Sequence, residues 1–334
     1  MKYLFVPLLA LTLAILPPLH AGLPDSAKVG HFYAGCQAYS FRLFSVMEAI
    51  EKTAQAGGKT IEFYPKQKLS PQQPEMVFNH ESPEEVIQAV KDKLAKEGVI
   101  AVAYGVVKLG KNDEENRKIF NFAKKMGIGI LTTEPDAEAM DQIEALVKEF
   151  DIKIAIHNHP RRPLDRAYLY WDPNYVLSLV KDRDPRMGAC ADTGHWVRSD
   201  LDPVECIQIL KGRIFDCHLK DLNEKGNPKA HDVPFGTGVS NIPAILNAFA
   251  EGGFYGPLHT EYEHNWEDNV PDITKCLQFV KNFTPAVKQL RVSLALAHGL
   301  QQADAGRHGA VQAFHVSRHV ERLVSELAEL RQHQ

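Results

Sequence analysis

The chain has 334 residues, of which 44% are hydrophobic and 24% are charged, with a formal net charge of −4 and a pI near 6.4. This composition is typical of a soluble globular protein with one large domain or two small ones. Lysine and arginine are spread along the chain rather than clustered, so we expect no nucleic-acid partner.

The N-terminus predicts export. Lys2 precedes LFVPLLALTLAIL, an apolar run with the length of a signal-peptide core, and two prolines and a short polar segment follow it. We expect a signal peptide over residues 1–21, with cleavage after Ala21. The alternative is a retained anchor, but the run is shorter than the roughly 20 residues that a membrane span needs. The prediction is an exported, periplasmic protein with no stable membrane insertion after cleavage.

The central part of the chain alternates between two patterns. Short apolar and β-branched runs predict strands at 32–39, 59–64, 98–107, 127–133, 152–157, 187–191, 213–219 and 256–262. Apolar residues three and four apart predict helices near 44–56, 83–97, 113–126, 136–150, 172–183, 202–211, 241–252 and 269–283. Ser82-Pro83 and Asp202-Pro203 each predict a capping residue before an N1 proline. Gly127 stands where a helix should end.

Eight strand–helix units in strict alternation predict a parallel sheet with helices outside. Eight units close a barrel, so we expect the α/β class and a (β/α)8 TIM barrel over residues 30–284. A doubly wound open sheet is the alternative, but it would gather functional residues at one switch point. Here polar residues end nearly every strand, which favours closure.

The segment after the barrel departs from this alternation. Residues 285–334 predict a C-terminal helical tail of one or two helices, with Leu323, Leu327 and Leu330 on one stripe. The alternatives for this tail are docking on the barrel, contacts in a homo-oligomer, and poor order.

The five cysteines give no sign of a disulfide framework or a zinc knuckle, because their number is odd and no C-x-x-C pair exists. Two of them, Cys190 and Cys217, lie inside predicted strands. We expect them to be small buried side chains rather than nucleophiles.

Ionisable side chains follow successive predicted strands. ADTGHW places Asp192 and His195 after one strand, and IFDCHLKD ends the next strand with His218 and Lys220. HTEYEH places Glu261 at the end of the last strand. Because the carboxyl ends of parallel strands meet at one rim, carboxylates and an imidazole should converge there on one divalent metal ion.

The role of each residue at this rim follows from its position. We predict that Asp192, His218 and Glu261 are metal ligands. His195 is predicted to bind substrate or to support the metal site, and Lys220 to bind an anionic or hydroxyl oxygen. For Lys220 the alternative is an ion pair with the adjacent aspartate.

Two residues compete for the remaining ligand position, Glu134 after the fourth strand and His157 at the end of the fifth. We predict Glu134 as the ligand, since a hard ion prefers a carboxylate. His157 and His159 are then predicted to contact substrate or to transfer protons. Glu62, which ends strand two, is predicted to bind a substrate hydroxyl or to move a proton, with a structural ion pair as the alternative.

A turn-rich loop, NPKAHDVPFGTG (residues 227–238), follows the seventh strand. His231 and Asp232 in this loop are predicted to reach the site. Phe235 and Trp196 are expected either to form an apolar wall for a sugar ring or simply to pack.

At these motifs the chain resembles the sugar phosphate isomerase/epimerase group of the xylose isomerase-like TIM barrels, which belong to the AP endonuclease family 2 superfamily. The matching segments are IEFYP, IAIHNHP, ADTGHW, CHLKD, VPFGTG and HTEYEH. The resemblance covers residues 30–284 and implies one divalent ion, Mn, Co, Mg or Zn, held by Glu, Asp, His and Glu. Ketose epimerases of the group carry a glutamate where this chain has His157, and the HNH sequence is more similar to the inosose dehydratases.

The resemblance implies an enzyme with a small carbohydrate substrate. The first expectation is a metal-dependent isomerase or epimerase that removes a proton next to a carbonyl and forms a metal-stabilised enediolate. The alternatives are a lyase or dehydratase of keto-sugars, keto-glycosides or inososes, and a non-catalytic sugar-binding barrel. A nuclease of the endonuclease IV type would need a basic DNA-binding surface, which the charge of the chain does not provide.

Overall fold

The computed structural model describes residues 23–286. The predicted signal peptide lies outside the described residues, as does the predicted tail apart from its first two residues. The helices of the described part of the chain are α1 Val46–Gln55, α2 Glu84–Glu97, α3 Asp113–Met126, α4 Met140–Phe150, α5 Pro173–Val180, α6 Thr193–Arg198, α7 Pro203–Ile209, α8 Ile242–Glu251 and α9 Val270–Asn282. Short 3-10 helices lie at Asp25–Ala27, Ala38–Phe41 and Ala137–Ala139.

Eight parallel strands form the wall of a closed barrel. They are β2 Phe32–Gln37, β3 Thr60–Phe63, β6 Ile100–Val107, β7 Ile130–Thr133, β8 Lys153–His157, β9 Met187–Asp192, β10 Ile214–Leu219 and β13 Pro257–Thr260. The strands pair in the order β2-β13-β10-β9-β8-β7-β6-β3, and the β2–β3 pairing closes the ring. The predicted (β/α)8 barrel is confirmed, and each predicted strand and helix overlaps an observed one.

Several short strands lie outside the eight-stranded wall of the barrel, and the sequence did not predict them. β1 Lys28–Val29 pairs antiparallel with β2. β4 Gln67–Ser70 and β5 Gln73–Phe78 form a hairpin, and β11 Asp221–Leu222 pairs with β12 Asp232–Val233. These strands are too short or too polar to give a period-2 pattern over several residues.

The core lies between the strands and the surrounding helices. The helices bury one apolar face each, as Ile119, Phe120 and Ala123 do on α3. All five cysteines are buried and unpaired, as predicted. Within residues 23–286, no helix combines the length and the apolar character needed to cross a membrane.

Local signals set most helix ends, with one correction. Asp202 caps α7 by accepting a hydrogen bond from Val204 N, and Pro203 is the first helical residue, as predicted. Gly127 ends α3 with a left-handed conformation. The predicted cap at Ser82 is wrong, because Pro83 is the N-cap residue of α2 and the Ser82 hydroxyl accepts from Asn79 N instead.

Candidate active site

Ionisable side chains gather at the carboxyl ends of the barrel strands. The strand register places His218 beside Asp192 on one neighbour and beside His259 on the other. Ligand atoms of His157, Asp192, His218 and Glu261 all lie within 4.8 Å of one another. We call these four residues the upper cluster. The structure therefore brings together Asp192, His218 and Glu261, as the strand-end argument predicts.

The upper cluster fits a divalent metal ion. Asp192 Oδ2 lies 3.6 Å from His157 Nε2 and 3.9 Å from His218 Nδ1, and His218 Nδ1 lies 3.3 Å from Glu261 Oε2. His218 Nδ1 and both ring nitrogens of His157 are buried without a hydrogen-bond partner, and Asp192 Oδ2 meets the ammonium of Lys220 at 3.0 Å. Native proteins rarely leave buried polar atoms without a partner. Two carboxylates and two imidazoles facing one point form a donor set that suits Zn, Mn or Co.

Asp192 is fixed in place by its neighbours in sequence and in space. Its Oδ1 accepts a hydrogen bond from His195 N at 2.7 Å, which caps α6. Its backbone N–H donates to Asn158 Oδ1, and its carbonyl accepts from Asn158 Nδ2, both at 2.9 Å. These bonds leave Oδ2 of Asp192 directed at the other three residues of the upper cluster. Asn158 was not predicted, because its side chain alternates away from the histidines on either side.

Glu62 lies behind His218 rather than at the mouth of the barrel. Its Oε2 is 2.6 Å from His218 Nε2, and both side chains are fully buried. Because Glu62 accepts from Nε2, the other nitrogen of His218 faces the upper cluster, an arrangement typical of metal-binding histidines. Burial raises the pKa of Glu62, but His218 and His259 outweigh it and hold the pKa well below its usual value. The geometry thus favours a positioning role over the predicted contact with substrate.

A second cluster of buried ionisable side chains lies beneath His218, on the side away from the upper cluster. Ligand-type atoms of Glu62, Asp216, His218 and His259 also lie within 4.8 Å of one another. His259 Nδ1 is 2.9 Å from Asp216 Oδ1. Burial lowers the pKa of His259, but Asp216 and Glu62 raise it to about 9, so this ring is charged at neutral pH. Its positive charge offsets the buried carboxylates beneath His218.

Glu134 does not join the upper cluster. Its Oε1 lies 2.5 Å from His159 Nδ1, accepts a hydrogen bond from the Tyr168 hydroxyl at 2.6 Å, and is 3.7 Å from His157 Nδ1. The ring of His157 therefore stands between Glu134 and Asp192. Of the two residues that competed for the fourth ligand position, the structure groups His157, and not the predicted Glu134, with the other three.

His159 is the accessible histidine of the pair on this strand end. Its side chain is 41% exposed, whereas that of His157 is 2% exposed. Because Nδ1 of His159 is engaged with Glu134, its Nε2 is left for a molecule in the mouth. The Tyr168 hydroxyl, which accepts a hydrogen bond from His159 N at 2.8 Å, also helps to hold His159 in place. Tyr168 lies in an irregular loop, and no periodic pattern could have connected it to the site.

His195 has a defined tautomer. Its Nδ1 lies 3.1 Å from Arg198 Nη1, and its Nε2 lies 3.4 Å from Asp192 Oδ2. A guanidinium only donates, so Nδ1 of His195 must accept and its proton must sit on Nε2. Burial, together with the charge of Lys220, holds the pKa of His195 well below its usual value. His195 is therefore a neutral hydrogen-bond donor at this rim.

Arg198 was not predicted, because nothing in the helix that carries it distinguishes it from a surface arginine. It is buried and donates to Glu263 Oε2 at 3.0 Å and to Asp232 Oδ2 at 3.2 Å. Asp232 thereby reaches the edge of the site, as predicted. His231 lies instead against His264, with ring centroids 4.4 Å apart and the rings tilted by 31°. Phe235 and Trp196 are buried and pack, which was the second of the two expectations for them.

Lys220 is the cation within the cluster of carboxylates. Its Nζ lies 2.7 Å from Glu261 Oε2, 2.9 Å from Glu263 Oε2 and 3.0 Å from Asp192 Oδ2. Burial lowers the pKa of Lys220, but these three carboxylates raise it well above its usual value, so the side chain stays charged. The alternative ion pair with Asp221 is not formed. Asp221 accepts instead from backbone amides of the following loop, at Gly236, Gly238 and Ser240.

A model of the xylose isomerase-like TIM barrel family matches residues 50–282, which is well over half of the chain. This match confirms the resemblance that the strand-end motifs predict.

The solved structures include an uncharacterised protein from Parabacteroides distasonis, 33% identical, with a TM-score of 0.61, covering 75% of this chain and 98% of that one. A sugar phosphate isomerase/epimerase from the same organism is 18% identical, with a TM-score of 0.56, covering 78% and 99% of the two chains. The latter likeness shows the fold alone.

Among curated proteins, the chain is similar to an inosose dehydratase from Clostridium tetani. The two are 26% identical over 150 residues, which are 39% of this chain and 46% of the dehydratase. The match thus spans about half the length of that relative. The prediction of an enzyme of the sugar isomerase, epimerase and dehydratase type is confirmed at the level of the family, by the family model alone.

Proposed function

We propose, since the chain belongs to the xylose isomerase-like TIM barrel family, that it is a divalent-metal-dependent isomerase or epimerase of a sugar or keto-sugar. The reaction would begin with removal of a proton from the carbon next to a carbonyl. The observation that carries the proposal is that two groups of ionisable side chains meet at one rim. The upper cluster would hold a cation, and the Glu134–His159 pair beside it would act as an acid/base device.

The upper cluster would hold the metal ion through His157, Asp192, His218 and Glu261. When bound, a divalent ion supplies Lewis acidity, which lowers the free energy of negative charge on a substrate oxygen. The protein's contribution is to fix these ligands. Glu62 orients His218, and Asn158 and the cap of α6 orient Asp192.

His159 is the proposed general base. Its Nε2 would take the proton from carbon, because its Nδ1 is held by Glu134 and its side chain is the accessible one. The carboxylate of Glu134 stabilises the imidazolium that results. Tyr168 donates to the same oxygen and so helps to hold the carboxylate beside His159.

One donor and one nearby charge would stabilise the oxygen that gains negative charge as the proton leaves. The donor is His195 Nε2–H, since Arg198 fixes its tautomer and its depressed pKa keeps it neutral. Lys220 would contribute only the positive charge of its buried ammonium, because its Nζ is held by Glu261, Glu263 and Asp192. Preorganised donors of this kind act without reorganisation during the reaction. Return of the proton to the opposite face gives an epimer, and return to the neighbouring carbon gives an isomer.

A lyase or dehydratase is the second candidate, and one observation favours it. The fifth strand ends in His157, so the two-glutamate arrangement of the ketose epimerases is absent from the upper cluster, and the curated relative is a dehydratase. Loss of an oxygen substituent one carbon further along would follow the same first proton transfer. The products, and not the first step, separate the two candidates.

The test is proton exchange in deuterium oxide, followed by NMR, over a panel of ketoses, keto-glycosides and inososes with the metal-loaded full-length protein. We expect deuterium at the carbon next to the carbonyl of at least one substrate, with loss of the signal in His159→Ala. His231→Ala, which changes an exposed histidine of the nearby loop, is the matched control and should exchange normally. A deuterated epimer or isomer supports the first candidate, and an unsaturated product supports the second. Metal-loaded protein that exchanges no C–H proton in any substrate class would contradict both.

A further inference from the structure

A second cavity, of about 590 Å³, opens beside the active site. We call it the arginine cleft. The loop after β8 forms one wall with Arg161, Arg162, Arg166, Tyr168 and Trp171, and the region after α6 forms the other. Its volume lies within the range of about 300–1,000 Å³ that is usual for ligand pockets. None of the proposed steps of proton transfer uses these arginines.

Several residues that line the arginine cleft also hold side chains of the active site in place. Tyr168 lines the cleft and donates to Glu134, and Arg198 lines it and donates to His195. Ser199 Oγ accepts from Arg161 N at 2.9 Å and donates to the carbonyl of His195 at 2.7 Å. The arginine cleft therefore lies next to the residues that surround His159.

The cleft carries a surplus of accessible positive charge. Arg161, Arg162 and Arg166 are exposed, whereas the carboxylates that line the cleft are Asp165 and Asp200. Asp165 lies 3.8 Å from Arg162, and Asp200 lies 3.9 Å from Lys225 outside the cleft lining. A guanidinium binds carboxylate or sulfate oxygens through two parallel hydrogen bonds, so this surplus favours an anionic ligand.

Aromatic rings support two of these arginines and give the cleft an apolar wall. The guanidinium of Arg162 lies 3.8 Å from the ring centre of Tyr168, and that of Arg161 lies 5.0 Å from the ring centre of Trp171. Stacking of this kind limits the side-chain motion that binding would otherwise have to restrict. Aromatic faces also pack against the C–H face of a sugar ring, and since Tyr168 is buried beneath Arg162, the half-buried Trp171 is the ring of this wall that a sugar would meet. The combination suits a ring that carries a negative group.

We infer that the arginine cleft binds an acidic sugar unit attached to the reacting sugar, with a carboxylate or a sulfate held by Arg161 and Arg166. The substrate would then be a fragment of an acidic glycan rather than a free neutral monosaccharide. This inference rests on the proposed function for the position of the reacting end. Its own evidence is the charge, the aromatic wall and the shared supports of the cleft.

Calorimetric titration of the full-length protein tests the inference. The probes are digalacturonate, which carries carboxylates, neocarrabiose sulfate, which carries a sulfate, and cellobiose, which is neutral. At low salt we expect one acidic probe to bind at least about tenfold more tightly than cellobiose, and the difference to shrink at high salt. The acidic probe that binds more tightly identifies the group. The double variant Arg161→Gln/Arg166→Gln should lose this preference, while Arg117→Gln, which changes a half-buried arginine of α3 that does not line the cleft, should keep it.

Equal binding of the three probes, or an unchanged preference in the double variant with an unchanged circular dichroism spectrum, would overturn the inference. The titration needs no turnover and is repeated after removal of metal, so it separates two failures. Acidic preference without proton exchange on any substrate keeps the arginine cleft and removes the proposed reaction. Proton exchange on neutral sugars that is unaffected by the double variant keeps the reaction and removes the cleft as a substrate site.

Discussion

The two ends of the barrel are built from the same eight strands and differ sharply in chemistry. At the carboxyl ends, buried carboxylates, imidazoles and Lys220 balance one another within a few ångströms. At the amino ends lies a cavity of about 580 Å³ with apolar side chains such as Val102, Ile130 and Phe215 in its lining. Strand β8 shows the contrast within five residues, since it begins with Lys153 at the apolar cavity and ends with His157 in the upper cluster.

The contrast shows that this fold concentrates its buried charges at the carboxyl ends of the strands. Burying charge costs free energy unless opposite charges and hydrogen bonds compensate, and at the carboxyl ends Lys220 and the charged ring of His259 supply part of that compensation. At the amino ends Lys153 lies 5.4 Å from the ring centre of Phe215, and burial lowers its pKa. Changes at the carboxyl ends should therefore affect chemistry, and changes at the amino ends only stability.

The largest expected effect is at His218. His218→Gln can keep a donor to Glu62 but removes the nitrogen that faces the upper cluster. We expect the protein to stay folded, to lose its bound divalent ion, and to lose turnover down to background, because metal-ligand and Lewis-acid contributions amount to several kcal/mol. Elemental analysis and circular dichroism measure both parts. Retained metal would show that His218 is not a ligand.

The next effect is at the acid/base pair. His159→Ala should lower turnover about a thousandfold while metal content stays at the wild-type level, since general-base catalysis contributes about 10²–10⁴-fold. Glu134→Gln should give a smaller loss in the same direction, because the base keeps its position but loses the carboxylate that stabilises its charged form. Steady-state rates and elemental analysis on the same preparations provide the measurement. Loss of metal from His159→Ala would mean that the two functions are not separate.

A smaller effect is expected beneath the upper cluster. Glu62→Gln replaces the carboxylate that accepts from His218 Nε2, and supporting groups of this kind typically change metal affinity about 10–100-fold. Titration with a competing chelator measures the affinity. An unchanged affinity would indicate that Glu62 has the direct role at the substrate that the sequence predicts and the geometry disfavours.

The smallest effect is at the amino ends. Lys153→Met keeps the packing of the side chain and removes a charge whose pKa burial lowers, so it should stabilise the fold by a few tenths of a kcal/mol, because solvent still reaches the ammonium. A lowered pKa means that the unfolded chain binds more protons, so wild-type stability rises as pH approaches 10.5. The gain from Lys153→Met is therefore largest near neutral pH and shrinks above it. Urea unfolding at several pH values measures it, and any change in turnover would contradict the separation of the two ends.

The sequence predicted the parts that depend on periodicity. Eight strand–helix units gave the barrel, and the rule that parallel strands end at one rim brought Asp192, His218 and Glu261 together. The sequence led to Glu134 rather than His157 for the fourth ligand position, because no pattern shows which side-chain direction the loop after β8 stabilises. Tyr168, which comes from that irregular loop, holds Glu134 beside His159. Arg198, which sets the tautomer of His195, lies at the end of α6, where nothing distinguishes it from a surface arginine.

The most direct test of the account is the metal content of two matched variants, His157→Ala and Glu134→Ala, after loading with Zn or Mn and removal of excess ion. The account predicts about one ion per chain in the wild type and in Glu134→Ala, and a large loss in His157→Ala, because His157 belongs to the upper cluster and Glu134 serves His159. A wild-type protein that binds no divalent ion, or an ion that is kept by His157→Ala and lost from Glu134→Ala, would contradict it.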